Sequence, residues 1–128
     1  MMNVDILDPE KDYLIIVPLN QIGEDELYRN EIFKDAYISN NLQYMVFHED
    51  QYNYMEPRLF DIINIELGTM INMYEEEIVE NDQLEALIDI VDLLISNSDD
   101  ERFLQFANDF KSLLNVAKKH HTIVGFCF

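Results

Sequence analysis

Three short apolar runs and several longer stretches with helical periodicity set the pattern of this chain. Tyr13 to Val17 is unbroken apolar sequence rich in β-branched residues, with Asp8-Pro9 before it and Pro18 after it. That combination predicts a buried strand. Gln43 to Phe47 predicts a second strand, and Thr122 to Phe128 a third. Between the first two, Glu24 to about Ser39 predicts a helix. Glu24, Asp25 and Glu26 occupy its first turn, where the helix dipole favours negative charge. Tyr28, Ile32 and Ala36 share one face, with Phe33 and Tyr37 alongside, and Asn40-Asn41 break the pattern.

His48 to Glu56 is polar and reads as a loop carrying Tyr52 and Tyr54. Pro57 suits the first turn of the next helix, where its missing N–H costs nothing. From there Leu59, Ile62, Ile63, Leu67, Met70, Ile71, Tyr74 and Ile78 follow one helical face, with Gly68 as the place where the helix bends or splits. Asp82 and Glu85 have capping-box-like spacing ahead of a helix that buries Leu84, Leu87, Ile88, Val91, Leu94 and Ile95. Ser98 to Glu101 is an S-x-x-E capping box. It opens a last helix with Phe103, Phe106, Ala107, Phe110, Leu113, Leu114 and Ala117 inward. Lys118-Lys119 lie at that helix's end, where the dipole favours cations. The order strand, helix, strand, three helices, strand predicts an α+β fold: a small three-stranded sheet with about four helices, in a single domain over residues 1–128.

Composition supports a folded core. The chain has 128 residues, 48% of them hydrophobic, with 8 Phe, 7 Tyr, 3 Gly and 3 Pro. A disordered chain of high charge would be poor in aromatic and β-branched residues. The charge changes the picture of function: 26 acids face 8 Lys and Arg, for a net charge of -18. Such a surface repels nucleic acid and anionic membranes and attracts basic proteins, polycations or metal ions. The imbalance is concentrated, since no Lys, Arg or His occurs from Leu59 to Glu101. Cys127 is the only cysteine, which fits a reducing compartment. No secretory signal opens the chain and no apolar run reaches the ~18 residues of a membrane span, so the cytoplasm is the expected location.

Catalytic signatures are missing. The sequence contains no G-x-S-x-G, P-loop or G-x-G-x-x-G motif, so it predicts no enzyme, no catalytic residue and no cofactor. Cys127 sits between two Phe residues in an apolar strand and reads as a buried structural thiol. His48-Glu49-Asp50 and His120-His121 lack zinc spacing, and no calcium loop occurs, so no metal site is predicted. His120 and His121 read as the end of a helix.

The candidates are instead partner-binding residues. Asp82, Glu85, Asp89 and Asp92 recur every three or four residues, forming one stripe opposite the apolar face of their helix. Like charges at these spacings cost a helix ~0.2–0.5 kcal/mol per pair. No Lys or Arg lies within four residues along the chain to offset that. Glu75, Glu76, Glu77 and Glu80 form a second cluster, read as lying near a helix C-terminus where both dipole and mutual repulsion oppose it. Tyr52 and Tyr54, with Tyr74, are the candidate aromatic anchors, because Tyr brings large contact area at low entropy cost. For each, the competing reading is plain: a solvated acidic face, or a tyrosine packed onto its own domain.

A small, acidic α+β domain without catalytic motifs resembles a bacterial toxin-immunity protein, of the contact-dependent-inhibition or polymorphic-toxin kind. The resemblance rests on size, charge and the missing signatures. It implies a cytoplasmic, non-enzymatic antitoxin, monomer or weak dimer. Such a protein would bind a basic cognate toxin such as a nuclease, with no direct contact to nucleic acid or membrane. Two other readings use the same residues. One is an acidic nucleic-acid mimic that blocks a DNA- or RNA-binding protein. The other is a structural oligomer subunit that buries off-core apolar positions such as Ile65, Met73, Ile90 and Leu93.

Overall fold

Alternation along the first strand explains the architecture. The computed structural model describes residues 12–29, 39–72 and 76–128. Strand β1, Tyr13–Pro18, is buried at every position. Successive strand side chains point to opposite faces, so a strand with no polar position must have both faces covered. Tyr13, Ile15 and Val17 enter the main core, and Leu14 and Ile16 enter a second, smaller one.

The sheet is antiparallel with strand order β2-β1-β4-β3, where β2 is Leu42–Phe47, β3 is Glu76–Val79 and β4 is Val124–Cys127. Ile15 pairs with Met45 on one side and Phe126 on the other, which aligns the main-core face across three strands. The expected sheet had three strands; the fourth is β3, in a segment expected to continue a helix. Gly68 explains the difference. It takes a left-handed conformation (φ 70°) and ends the preceding helix. Asn64 then holds the emerging loop: its side chain donates to the Ile71 carbonyl and accepts from the Ile71 N–H, each at 2.9 Å, and from the Thr69 hydroxyl at 2.7 Å. Ile71 is therefore buried without being helical, and Ile78 lies on a strand.

Helix α1, Gln21–Arg29, starts earlier than expected because Asn20 caps it, its Oδ1 accepting the Gly23 N–H at 2.9 Å. Its inward residues are Gly23 and Leu27, while Tyr28, expected on the inner face, is 52% exposed. Ile32, Phe33, Ala36 and Tyr37 lie outside the described residues.

The expected loop after β2 is helical. Helix α2, Glu49–Met55, runs through a π-helical turn at Glu56–Phe60 into α3, Asp61–Leu67. Pro57 sits inside this run, not at its first turn. A wider turn surrounds it: the Asp61 N–H reaches back five residues to the Glu56 carbonyl, and Pro57, having no N–H, gives nothing to the carbonyl one turn before it. The start of α2 is fixed by the Gln51 side chain, which accepts the His48 N–H at 3.1 Å, and His48 Nδ1 pairs with the buried Asp12 carboxylate.

Helices α4, Leu84–Ser96, and α5, Glu101–His120, pack against each other over the main-core face. Taking α2 through α3 as one helix, four helices accompany the sheet among the described residues. The expected caps shift. A short 3₁₀ turn at Asn81–Gln83 precedes α4, and the Gln83 position there makes no side-chain cap. Asp100, not Ser98, caps α5, accepting the N–H groups of Arg102 at 3.0 Å and Phe103 at 3.3 Å. Ser98 Oγ instead accepts the Asp100 N–H at 3.1 Å. His120 ends α5, and His121 follows in a left-handed conformation, with the Thr122 N–H closing onto the Ala117 carbonyl at 3.0 Å.

An aromatic cluster fills the main core. Phe47, Phe60 and Phe106 meet with centroids 4.9–6.3 Å apart, and Tyr13, Tyr52 and Phe128 pack onto them. Cys127 is buried in the core on the second face. Among the described residues, no helix is long and apolar enough to cross a membrane.

A candidate partner-binding surface

The acidic stripe is positioned by the open end of the sheet. Thr122, buried, donates its hydroxyl to the Pro18 carbonyl at 2.6 Å, tying β4 to the end of β1. The Asn81 side chain donates to the Thr122 carbonyl at 2.9 Å, which fixes the 3₁₀ turn to the same place. From this anchor α4 runs with Leu84, Leu87, Ile88 and Val91 inward. That face decides what is left outside: Glu80, Asp82, Glu85 and Asp89 are all exposed. Among the described residues none of these four makes an ion pair. Within α4 the like-charge cost is the Glu85–Asp89 repulsion, roughly 0.2–0.5 kcal/mol.

Asp92 does not belong to that set. It is half-buried, and Lys111 on α5 reaches it at 2.5 Å. The cation missing within four residues along the sequence is supplied across the helix pair.

The Glu75–Glu80 cluster is not at a helix end, so the dipole argument for it is overturned. Glu76 and Glu77 are neighbours on a strand, and strand geometry sends them to opposite faces. Glu77 has internal work: its carboxylate accepts the Met70 N–H at 2.8 Å and its own neighbour Ile78 N–H at 3.2 Å. Glu76 is exposed. Glu75 lies outside the described residues, as do Met73 and Tyr74.

Two of the tyrosine anchors are also reassigned. Tyr52 is 1% exposed, packed against Tyr13, Phe60 and Phe128, and donates to Glu56 at 2.5 Å. It is a core residue and presents nothing to a partner. Tyr54 is half-buried, its hydroxyl hydrogen-bonded to Asp100 and its ring covered by Arg58 at 3.8 Å and Arg102 at 4.2 Å. The bond to Asp100 is the chief reason the Tyr54 hydroxyl is held above its ordinary pKa and the Asp100 carboxyl below its own.

Two residues join the surface that sequence reasoning placed elsewhere. Burial is the first cause that raises the pKa of Glu24 and of Tyr28, and the Glu80 charge is the second. The Glu80 charge therefore bears on both Glu24 and Tyr28, which adds an acid and an exposed ring to the acidic surface. The signal available in the sequence was the Gly23–Leu27 spacing, which marks the inner face of α1 and turns Tyr28 outward. Leu93 at 63% and Ile65 at 80% exposure are the off-core apolar positions expected on α4 and α3, whereas Ile90 packs partly against the core.

Among the described residues no group of three or more His, Cys, Asp or Glu side chains is placed to hold a metal ion. No protein-family model, no curated protein and no solved structure matches the chain.

Proposed function

We propose that this chain is a non-enzymatic inhibitor that binds and neutralises a basic protein toxin, a nuclease first among the candidates, in the cytoplasm. One observation carries the reading: Glu80 and Asp82 just before α4, and Glu85 and Asp89 on it, stand exposed and make no ion pair among the described residues. A nuclease carries a cationic groove for phosphates, and an anionic surface of this kind covers that groove or blocks its approach. Complementary charge raises association toward ~10⁸–10⁹ M⁻¹s⁻¹ at low salt. Tyr28, exposed beside Glu24 and Glu80, supplies an aromatic face on which an arginine or lysine of the partner can stack between carboxylates. Tyr28 thus takes the anchoring role first assigned to Tyr52 and Tyr54.

The test is capture from the cell of origin at low salt, elution with rising salt, and identification by mass spectrometry. A single dominant basic protein, released by salt, is the expected result. Several unrelated nucleic-acid-binding proteins would point instead to a nucleic-acid mimic, and recovery of nothing but further copies of the chain would point to an oligomer subunit.

A further inference from the structure

Tyr54 gathers two of the chain's three arginines, and the two are not equivalent. Arg102 has a carboxylate within reach, Asp50 at 3.8 Å. Arg58 has none within ion-pair distance among the described residues; the carboxylate its charge acts on is Asp100, beyond that distance. Its guanidinium is nevertheless held in place. It lies 3.8 Å from the Tyr54 ring centroid, and Nη1 donates to the Tyr54 carbonyl at 2.7 Å. The Tyr54 ring is in turn fixed by its hydroxyl bond to Asp100. Arginine has five N–H donors in a rigid fork, so most of that donor set stays unspent.

A cleft opens beside this cation. It has a volume of about 270 Å³ and is lined by Arg58, Leu94, Asn97, Ser98, Asp100 and Phe103. Leu94 and Phe103 supply apolar wall, and the Asn97 amide and Ser98 hydroxyl add neutral polar groups from the turn between α4 and α5. The Asp100 carboxylate is already engaged by the Tyr54 hydroxyl and by the Arg102 and Phe103 N–H groups. The volume falls below the ~300–1,000 Å³ of pockets for drug-sized ligands and suits a ligand the size of one amino-acid residue.

We infer that the cleft between Arg58 and the α4–α5 turn binds an apolar monocarboxylate, its carboxylate on the Arg58 fork and its apolar part on Leu94 and Phe103. The pairing of one planar donor fork with one carboxylate follows from their matching bidentate geometry. An apolar wall opposite the fork selects an acid with a hydrophobic body over a small inorganic anion. Two sources share this chemistry: a free organic acid, and the C-terminal residue of a protein chain. This site is separate from the acidic surface of α4 and does not depend on the inhibitor reading.

The experiment is an NMR titration of the full chain with N-acetyl-leucine, its carboxamide, and a tetrapeptide ending in leucine with a free C-terminus. Saturable shifts at Arg58 Nε, the Asn97 side-chain amide and Ser98 are expected with the acid, with a dissociation constant near ~1 mM, and none with the carboxamide. Arg58→Gln should weaken binding about tenfold or more. Arg102→Gln, which removes the other cation over the same ring, should leave binding within about threefold, so a general effect of disturbing Tyr54 is separated from loss of the fork. Tighter binding of the tetrapeptide than of N-acetyl-leucine identifies a protein C-terminus as the source; equal binding identifies a free acid. The inference is overturned if acid and carboxamide behave alike, or if Arg58→Gln, shown folded by its amide spectrum, binds the acid as wild type does.

Discussion

Lys111 on α5 lies 2.5 Å from Asp92 on α4, and this contact separates Asp92 from the three other acids of its sequence stripe. Both side chains are partly exposed, at 37% and 43%, so solvent screens the pair. A double-mutant cycle with Asp92→Ala and Lys111→Ala should give a coupling of only ~0.2–1 kcal/mol in denaturant unfolding. Coupling indistinguishable from zero would return Asp92 to the unpaired acids. The same contact predicts that Asp92→Lys weakens partner binding far less than reversal at Glu85 or Asp89.

Gly23 is where α1 meets the chain entering β2. A Cβ built there would lie 2.2 Å from the Asn41 carbonyl oxygen, a backbone atom with no rotamer to escape into. Gly23→Ala is therefore expected to destabilise by ~1–3 kcal/mol, the range for overpacking, even though alanine is the better helix former. Thermal unfolding of this variant against Gln21→Ala, an exposed position on the same helix, checks it. Equal melting temperatures would show that α1 can move off β2 at little cost.

Tyr52→Ala should cost ~3–5 kcal/mol, as for other buried aromatic truncations. It removes a ring that contacts Tyr13, Phe60 and Phe128. Tyr28→Ala should leave stability within about 0.5 kcal/mol, as surface changes do, and weaken partner binding by ~2 kcal/mol or more if it is the anchor. Urea unfolding distinguishes the two tyrosines before any partner is in hand: a stable Tyr52→Ala protein would contradict its placement in the core.

Acid titration should show two opposed effects. Glu24 is held above its ordinary 4.5, first by burial and then by Glu80 and Asp25. The folded state then binds this proton more tightly than the unfolded state, so stability rises as pH falls through the raised value toward 4.5. Asp100 is held below its ordinary 3.8, first by the Tyr54 hydroxyl and then by the α5 N–H groups. Its contribution is full above 3.8 and is lost as pH falls through the lower folded value. Stability curves against pH should lose the mild-acid rise in Glu24→Gln and show a smaller acid-side loss in Tyr54→Phe. Curves parallel to wild type in both variants would contradict these assignments.

Strong periodicity was legible and special backbone chemistry was not. The inner faces of α4 and α5 follow the predicted apolar positions because each long helix has one dominant apolar stripe. β1 stood out because five consecutive apolar residues bounded by prolines fit little else. The segment from His48 to Val79 misled for identifiable reasons. Pro57 reads as a helix start, but it sits in a π turn between two helical stretches. Ile71 and Ile78 match a helical period by coincidence, while Gly68 and the Asn64 hydrogen bonds end the helix and release β3. The site was half legible: Glu80, Asp82, Glu85 and Asp89 are exposed as a stripe should be, but spacing along one helix says nothing of Lys111 on the next. Tyr52 and Tyr28 exchanged places because a single aromatic residue carries no periodic signal of its own.

Docking through the acidic face of α4 is measured by the affinity of the salt-eluted basic partner for the wild-type chain and for the Glu85→Lys, Asp89→Lys double variant. Both positions are exposed on α4, so the variant should fold. An affinity loss of at least about a hundredfold is expected, carried largely by a slower association rate, together with a wild-type affinity that falls steeply with salt. An affinity unchanged by the double reversal would show that the acidic face of α4 is not the interface.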